Sequence, residues 1–462
     1  MDGIGRVRVV LALSTLCCAL VLTGSFLAAA DGNQVQGSAS AVEEAIDNET
    51  AASVVPPRAD VTVVTADSTA LVDTDSRAAR LGSNLVAFAP NGTILYHAAD
   101  HAVYWDVDPV PGTDRTVEYV YSDHLQYPDC PTRGYCTRNG VERLNLTTGE
   151  VEPVFSRLTP NVSETRWHDV DRLDDHRLLV ADIDRDRAFV VNATTNETTW
   201  EWTAATDFDT DSGGHYPTDW THINDVEAVE LDGEPTVMVS VRNHDQVVFV
   251  DPEDGLRENW TLGADDDHDV LYEQHNPDYI PAERGGPALL VADSENGRVV
   301  EYQRRNGSWV QSWQWRDERL TWPRDADRLP NGHTLVTDSN GDRVLEVDEN
   351  GTVVWSIDIG FPYEAERLGT GDESAGGPSA VRMAATEREP NATQRSAVGR
   401  AATLVPPSLV NAAAYVRPGW VGTTEAIAAV GLLVAGPLWA LVEWRRLGLG
   451  FHRQWPFVAR RR

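Results

Sequence analysis

Residues 342–355, DRVLEVDENGTVVW, place two short apolar runs on either side of an Asp-Glu-Asn-Gly turn. Strand, turn and strand follow directly, because Asn and Gly tolerate the backbone twist of a tight antiparallel connection. The same figure returns as GRVVEYQRRNGSWV (297–310), DQVVFVDPEDG (245–255), DRAFVVNATTNETTW (186–200), GVERLNLTTGEVEPV (140–154) and DHAVYWDVDPVPG (100–112). With His101, Val141, Arg187, Gln246, Arg298 and Arg343 taken as equivalent, the intervals are 40, 46, 59, 52 and 45 residues. Strand pairs also precede several repeats, as in ADRLPNGHTLVTDSNGDRV (326–344) and VDRLDDHRLLVADIDRDRA (170–188). Units of about 45 residues, built from short strands and turns with no convincing helix, are four-stranded propeller blades. Six units predict an all-β, six-bladed propeller over residues 59–363, with DVTVVTAD (60–67) available to complete the last blade and close the ring.

Composition speaks to the environment. The formal net charge is −34 over 462 residues, and all 38 basic residues are arginine. Replacement of lysine by hydrated carboxylates resembles the chains of extreme halophiles, in which molar salt screens the self-repulsion of an acidic surface. With no basic tract, nucleic acid is not an expected partner.

The termini differ from the body. Residues 9–30, VVLALSTLCCALVLTGSFLAAA, form an uncharged run behind Arg6 and Arg8 that is long enough to cross a bilayer. Residues 1–30 are therefore an anchor or a cleaved signal, since Ala28–Ala30 resembles a small-residue cleavage site. A second apolar run, Ala426–Val442, marks a transmembrane helix over 425–443. It is followed by a basic tail over 444–462 with Arg445, Arg446, Arg453 and Arg460–Arg462. Cationic flanks stay in the cytoplasm, which predicts a cell-membrane protein with both termini inside and the propeller on the extracellular face. Residues 31–58, acidic, and 364–424, rich in Gly, Ser, Ala and Pro, are expected as poorly ordered linkers. Within the latter, SLVNAAAYV (408–416) is a candidate short helix at the membrane surface. Asn-x-Ser/Thr sequons at Asn48, Asn91, Asn145, Asn161, Asn192, Asn196, Asn259, Asn306, Asn350 and Asn391 fit an external glycoprotein. Cys130 and Cys136, outside the apolar runs, suit a local disulfide in an oxidising compartment.

In a propeller the innermost strands converge on a central channel, so the loops leading into them are where chemistry is expected. These positions read TRWHDVDRL in the third unit, DWTHINDVEAV in the fourth, YEQHNPDYIP in the fifth and TWPRDADRL in the sixth. They present His168, His222 with Asn224, His275 with Asn276, and Arg324. The spacing places the three histidines at one structural level and puts Arg242, in SVRNHDQVV, on a nearby turn. Three imidazoles are able to ligate zinc, but the arginines would repel a cation and no carboxylate recurs beside each histidine. Histidines with arginines describe instead a site for sulfuryl or phosphoryl oxygens, with no metal and no cofactor expected.

WHDVDRL, DWTHIND followed by SVRNH, and EQHNP resemble, in this order, the motifs of the bacterial and archaeal arylsulfotransferases that do not use phosphoadenosine phosphosulfate. That resemblance spans most of residues 80–357 and itself implies a six-bladed propeller. It implies transfer of a sulfuryl group from a phenolic sulfate ester to a second phenol through a sulfohistidine. By position, His275 would be the nucleophile, with Arg242, His222 and His168 holding sulfuryl oxygens and handling protons, and Asn224, Asn276 and Arg324 binding substrate. The chain departs from the family pattern at Asp225, where a serine is usual, and at Ser240 and Val241 before the arginine. A carboxylate at 225 is expected to raise a neighbouring imidazole's pKa and repel an anionic donor. The alternative is a non-catalytic, membrane-tethered propeller that binds a protein or glycan at the cell surface. A quinone-dependent dehydrogenase fits less well, because those propellers are generally larger and bind calcium.

Overall fold

A computed structural model describes residues 3–30, 41–48, 51–67, 83–131, 134–160, 166–317, 319–371, 373, 375–388, 407–415, 421, 423–447, 449–452 and 458–461. The chain divides into two compact units, residues 40–416 and residues 1–39 with 417–462.

The larger unit is the six-bladed propeller. Its innermost strands are Pro362–Arg367, Val103–Pro109, Trp167–Arg172, Ile223–Leu231, His275–Ile280 and Pro323–Arg328, taken in blade order from first to sixth. Each blade is a four-stranded antiparallel sheet, the outer strand of the fourth being split into Gly255–Leu256 and Leu262–Gly263. The ring closes in the first blade, where Pro362–Arg367 pairs with Thr62–Ala66, Thr62 opposite Arg367. DVTVVTAD thus takes part in closure, and the propeller runs past residue 363 to Arg367. The repeat phasing needs one correction. Val141, Arg187, Gln246, Arg298 and Arg343 all lie on or at the start of third strands, but His101 precedes the inner strand of the second blade. The third strand of the first blade is Asn84–Phe88. The apolar run of Val103–Pro109 imitates a third strand because both kinds are buried on both faces.

Burial on two faces follows from packing blade on blade. In the third strand of the fourth blade, Val248 and Val250 enter the apolar cluster shared with the third blade, while Val247 and Phe249 enter the one shared with the fifth. Six such clusters form the core, one at each blade interface, which is why these strands read as near-continuous valine runs.

Every inner strand carries a bulge at one level. The register skips His168 between Trp167 and Asp169, Asn224 between Ile223 and Asp225, and Arg324 between Pro323 and Asp325. It skips Tyr363 in the first blade, Trp105 with Asp106 in the second, and Asn276 with Pro277 in the fifth. A bulge re-aims the extra side chain, and here it does so around the channel. At the bulge in the second blade, and just beyond it in the others, each strand supplies a buried acid: Asp106, Asp169, Asp225, Asp278, Asp325 and Glu364. Three of these acids satisfy backbone amides on the inner edge of the next blade. Val170 N donates to Asp106 Oδ2 at 3.1 Å, Val226 N to Asp169 Oδ2 at 2.6 Å and Ala365 N to Asp325 Oδ2 at 3.2 Å. One turn of the pleat further on, Ala228 N donates to Asp171 at 2.8 Å and Tyr279 N to Glu227 at 3.0 Å. Oxygens of Asp106, Asp108 and Glu364 lie within 4.8 Å of one another, a spacing at which three carboxylates cannot all stay ionised without a proton or a counter-charge.

Two segments expected as linkers pack on the ring. Val42 and Val55 enter the core between the sixth and first blades, and Trp355 Nε1 donates to Pro56 O at 2.8 Å. At the other end Gly377 N donates to Arg328 O at 2.6 Å and Trp313 Nε1 to Thr386 O at 3.1 Å. A few widely spaced apolar residues and tryptophan N–H groups suffice to fix these stretches, which composition cannot register. Residues 31–40 and 389–406, also expected as linker, lie outside the described residues. Cys130 and Cys136 form a disulfide with Cα atoms 5.9 Å apart. Of the sequon asparagines, Asn161 and Asn391 lie outside the described residues, and none of the others is buried.

In the smaller unit two helices, Gly3–Ala30 and Thr423–Arg446, contain segments long and apolar enough to cross a membrane, Val7–Ser25 and Ala428–Arg446. They pair antiparallel. Arg8 Nε meets Glu443 Oε1 at 2.6 Å and Ser25 Oγ donates to Glu425 Oε1 at 2.8 Å, while Gly431 permits the approach of Cys18. Of the expected basic tail, Arg445 and Arg446 end the second helix; the side chains of Arg460–Arg462 and all of Arg453 lie outside the described residues.

Two predictions follow for the inner ring. Asp169→Ala leaves the Val226 amide buried without an acceptor and should cost about 1–3 kcal/mol in denaturant unfolding, whereas Asp169→Asn, which keeps a carbonyl oxygen, should cost less. Burial pushes Asp106 up to about 7 and Asp325 up to about 6, from an ordinary 3.8, so the folded chain holds protons that the unfolded chain releases. That stabilisation is complete below about pH 4 and is lost as pH rises through 6 and 7. Thermal melts in molar KCl should therefore show a higher Tm at pH 5 than at pH 8, with a smaller difference in Asp106→Asn.

Candidate functional site

Immediately beyond the carboxyl ring, the bulges and the turns that precede them line a half-open cavity of 230 Å³. The structure brings together His168, His222, His275, Arg242 and Arg324 in its wall. It does not bring Asn224 or Asn276 there. Asn224 is buried and donates through Nδ2 to Gln274 O at 2.9 Å, tying the fourth blade to the fifth. The histidines do not share one repeat phase. His222 and His275 stand three residues before their blade's acid, as do Arg166 and Trp322, whereas His168 stands one before, as do Arg324, Tyr363 and Trp105. Two phases, one from turns and one from bulges, converge on the same space.

Hydrogen bonding assigns the imidazoles different tautomers. Ser294 Oγ donates to Pro323 O at 2.6 Å, so its oxygen accepts from Nδ1–H of His275 at 2.8 Å. Nε2 of His275 is then left with its lone pair. Burial first, then Arg324, Arg242 and His222, hold His275 well below the ordinary imidazole range and keep that lone pair free of a proton at neutral pH. Tyr363 is the reverse case. Burial raises its phenol well above the usual value, so it stays protonated and donates to Nδ1 of His168 at 3.1 Å. Neutral His168 therefore carries its proton on Nε2, a buried atom that meets no hydrogen-bond partner among the described residues. Burial first, then His222 and Arg166, keep this ring neutral too, and it stacks on Trp105 with centroids 4.2 Å apart. His222 donates through Nδ1 to Asp219, a carboxylate–imidazole pair, and its ring lies 5.0 Å from that of His168. Burial works to raise Asp219, but His222 and then Arg242 hold its carboxyl well below the usual range.

Three guanidiniums supply positive charge. Arg324 donates to Asp67 Oδ2 at 3.1 Å and lies over Trp322 and Tyr363, at 4.4 and 4.8 Å from the ring centroids. Arg166 lies over Trp105 at 5.2 Å. Arg242 is bound by Glu273 and, at 2.8 Å, by Asn243 Oδ1, so its charge is partly spoken for. Backbone strain marks the same region: His222, Trp322 and Phe361 adopt φ of +47°, +67° and +47°, a left-handed conformation costly for bulky residues and characteristic of functional sites.

The expectation for Asp225 is corrected. It belongs to the ring of six equivalent acids rather than to the cavity wall, and burial followed by Asp278, Asp106 and Asp325 raises its pKa well above the ordinary carboxyl value, which favours its neutral form. Sequence reasoning missed Trp105, Arg166, Tyr363 and Tyr415. The first three were within reach of the register, since each stands one or three residues before an inner-strand acid. The helix Pro407–Tyr415, expected at a membrane surface, contributes Asn411, Ala412 and Tyr415 to the cavity wall.

The sequence model of the family described as Arylsulfotransferase (ASST) matches residues 190–360, which cover the fourth to sixth blades with His222, Arg242, His275 and Arg324. No curated protein matches the chain. Among solved structures, a protein of unknown function from Bacteroides caccae is 12% identical, covers 67% of this chain and 100% of its own, and superposes with a TM-score of 0.45. The periplasmic gluconolactonase PpgL of Pseudomonas aeruginosa is 13% identical, with 68% and 99% covered and a TM-score of 0.43. These two likenesses are too distant to bear on function. The family match supports a sulfuryl-transferring enzyme in general terms for the segment that it covers.

The tautomer assignment predicts that Ser294→Ala, which removes the shorter of the two acceptors of His275 Nδ1–H and leaves Glu273 O at 3.2 Å, keeps the fold intact while weakening the hold on this tautomer, so that the other becomes populated. Long-range ¹H–¹⁵N spectra of the imidazole should report a single neutral tautomer in the parent and a mixture in the variant.

Proposed function

We propose that the protein is an arylsulfotransferase-like enzyme that moves a sulfuryl group between phenols by way of His275. The observation that carries this reading is the pairing of an unprotonated, Ser294-oriented Nε2 on His275 with the cations Arg166, Arg242 and Arg324 around one small cavity. A lone pair alone would suit a metal, and cations alone would suit any anion; together they suit attack on an anionic sulfate ester.

In the first half-reaction Nε2 of His275 attacks sulfur, the bond from sulfur to the phenolic oxygen breaks, and the electron pair leaves on that oxygen. Arg324, Arg166 and the Nε2–H of His168 face the sulfuryl oxygens, where preorganised donors act most strongly as charge shifts. His222, braced by Asp219, gives a proton to the departing phenolate. In the second half-reaction it takes the proton of the acceptor phenol, whose oxygen attacks sulfur and breaks the bond to His275. Arg242 joins the oxygen-holding set once the substrate competes with Glu273. Phenols, with pKa near 10, leave far more readily than alkanols, which favours aryl esters. The paired terminal helices, with Arg8 beside one end of the pair and Arg445 and Arg446 near the same end, favour a membrane anchor retained rather than cleaved. By the positive-inside rule the propeller would then face outward.

Mixed in molar KCl with 4-nitrophenyl sulfate and phenol, the full chain should release nitrophenolate, and His275→Ala should lower that rate by at least about a thousandfold while unfolding as the parent does. Because the folded His275 titrates well below the ordinary imidazole range, its ring ¹⁵N shifts should remain those of a neutral imidazole as pH falls from about 8 to about 6. Protonation of His275 within that interval would contradict the neutral nucleophile. Absence of release with any phenol, from folded protein, would leave the propeller a binding module.

A further inference from the structure

The cavity is made by two parts of the chain with different chemistry. The blades give cations and imidazoles. The helix Pro407–Tyr415, which follows the propeller in sequence, gives Asn411, Ala412 and Tyr415. Three anchorages hold this helix over the blades. Asn411 Nδ2 donates to Glu295 Oε2 at 2.9 Å and Asn340 Nδ2 donates to Asn411 O at 3.3 Å, all three residues being buried. Tyr415 stands edge-on to Trp322 with centroids 5.6 Å apart and lies 5.8 Å from Phe361. Trp322 in turn covers Arg324, so the helix meets the anion-holding arginine through one intervening ring.

Size follows from this roof. With the helix in place the cavity holds 230 Å³, below the range of about 300–1,000 Å³ typical of pockets for drug-sized ligands. The sulfuryl group and the imidazoles it touches take the cationic floor. What remains is bounded by Trp322, Ala412 and Tyr415.

We propose that the helix Pro407–Tyr415 is the specificity element of the site, and that Tyr415 and Ala412 restrict the acceptor to single-ring phenols. This inference rests on the sulfuryl-transfer reading, and deepens it by naming the acceptor class. Tyr415 acts by excluding a second ring, Ala412 by leaving room for the first, and Asn411 by fixing the helix to Glu295. None of the three takes part in bond making.

The test compares phenol with 4-phenylphenol as acceptors for 4-nitrophenyl sulfate, using the full chain in detergent and molar KCl. The parent should favour phenol in kcat/KM by at least about tenfold, the scale on which a pocket rejects one surplus group. Tyr415→Ala should shift that ratio toward 4-phenylphenol by about tenfold or more, and Tyr415→Phe should keep the parent ratio. Ala412 is exposed on its helix, so Ala412→Leu should fold as the parent does and move the ratio further toward phenol. A merely structural role for the helix would lower both rates together and leave the ratio alone. Identical ratios in the parent, Tyr415→Ala and Ala412→Leu would overturn the specificity assignment while leaving sulfuryl transfer standing. A parent that releases no nitrophenolate would overturn the transfer reading and this inference with it.

Discussion

The bond from an inner-strand carboxyl to a backbone amide of the neighbouring blade is the interaction on which the rest of this molecule depends. A propeller leaves the inner edge of every blade facing the channel, with N–H groups that no strand can satisfy. Asp106, Asp169, Asp171, Glu227 and Asp325 satisfy them, each reaching across to the next inner strand. The price is a channel lined with acids too close to ionise together. Burial and mutual repulsion resolve this by raising their pKa values, so the ring is held largely as neutral hydrogen-bonding groups.

The site inherits its form from that ring. The bulge that brings each acid into reach also turns the preceding side chain toward the channel, which is how Trp105, His168 and Arg324 reach the cavity wall from three different blades, while Tyr363 stands behind His168. His222 comes instead from the turn that enters its strand, and His275 is the first residue of its own strand. The cavity therefore has a rigid floor set by sheet register and a wall set by loops. The opposite tautomers of His168 and His275 are fixed by groups outside the cavity, Tyr363 and Ser294, so proton placement is decided before any substrate enters.

Much of this was legible in the sequence, for a physical reason. Third strands are buried on both faces and end in turns with strict backbone demands, so they repeat in a recognisable form, and blade number and most inner strands follow from them. The same burial misled the phasing of His101, since an inner strand rich in Val, Tyr and Trp is apolar in the same way. His168, His222, His275, Arg242 and Arg324 stood out because a β-strand needs none of them. Trp105 and Tyr363 did not, because aromatic residues are ordinary in strands and only the bulge turns them inward. Asp225 looked like a local departure until the register placed it among five equivalents. Nothing in SLVNAAAYV marks a helix that lines a cavity; the contacts of Asn411 and Tyr415 do.

The central claim is that His275 becomes covalently sulfurylated, and a trapping experiment tests it most directly. The full chain is exposed in molar KCl to 4-nitrophenyl sulfate without acceptor, then digested at alkaline pH, where an N-sulfurylated imidazole persists, and its peptides are weighed. The account predicts one nitrophenolate released per chain and one sulfuryl group on the peptide that contains His275, lost again when phenol is added before digestion. Nitrophenolate release with no sulfurylated peptide, or with the group on another residue, would contradict it.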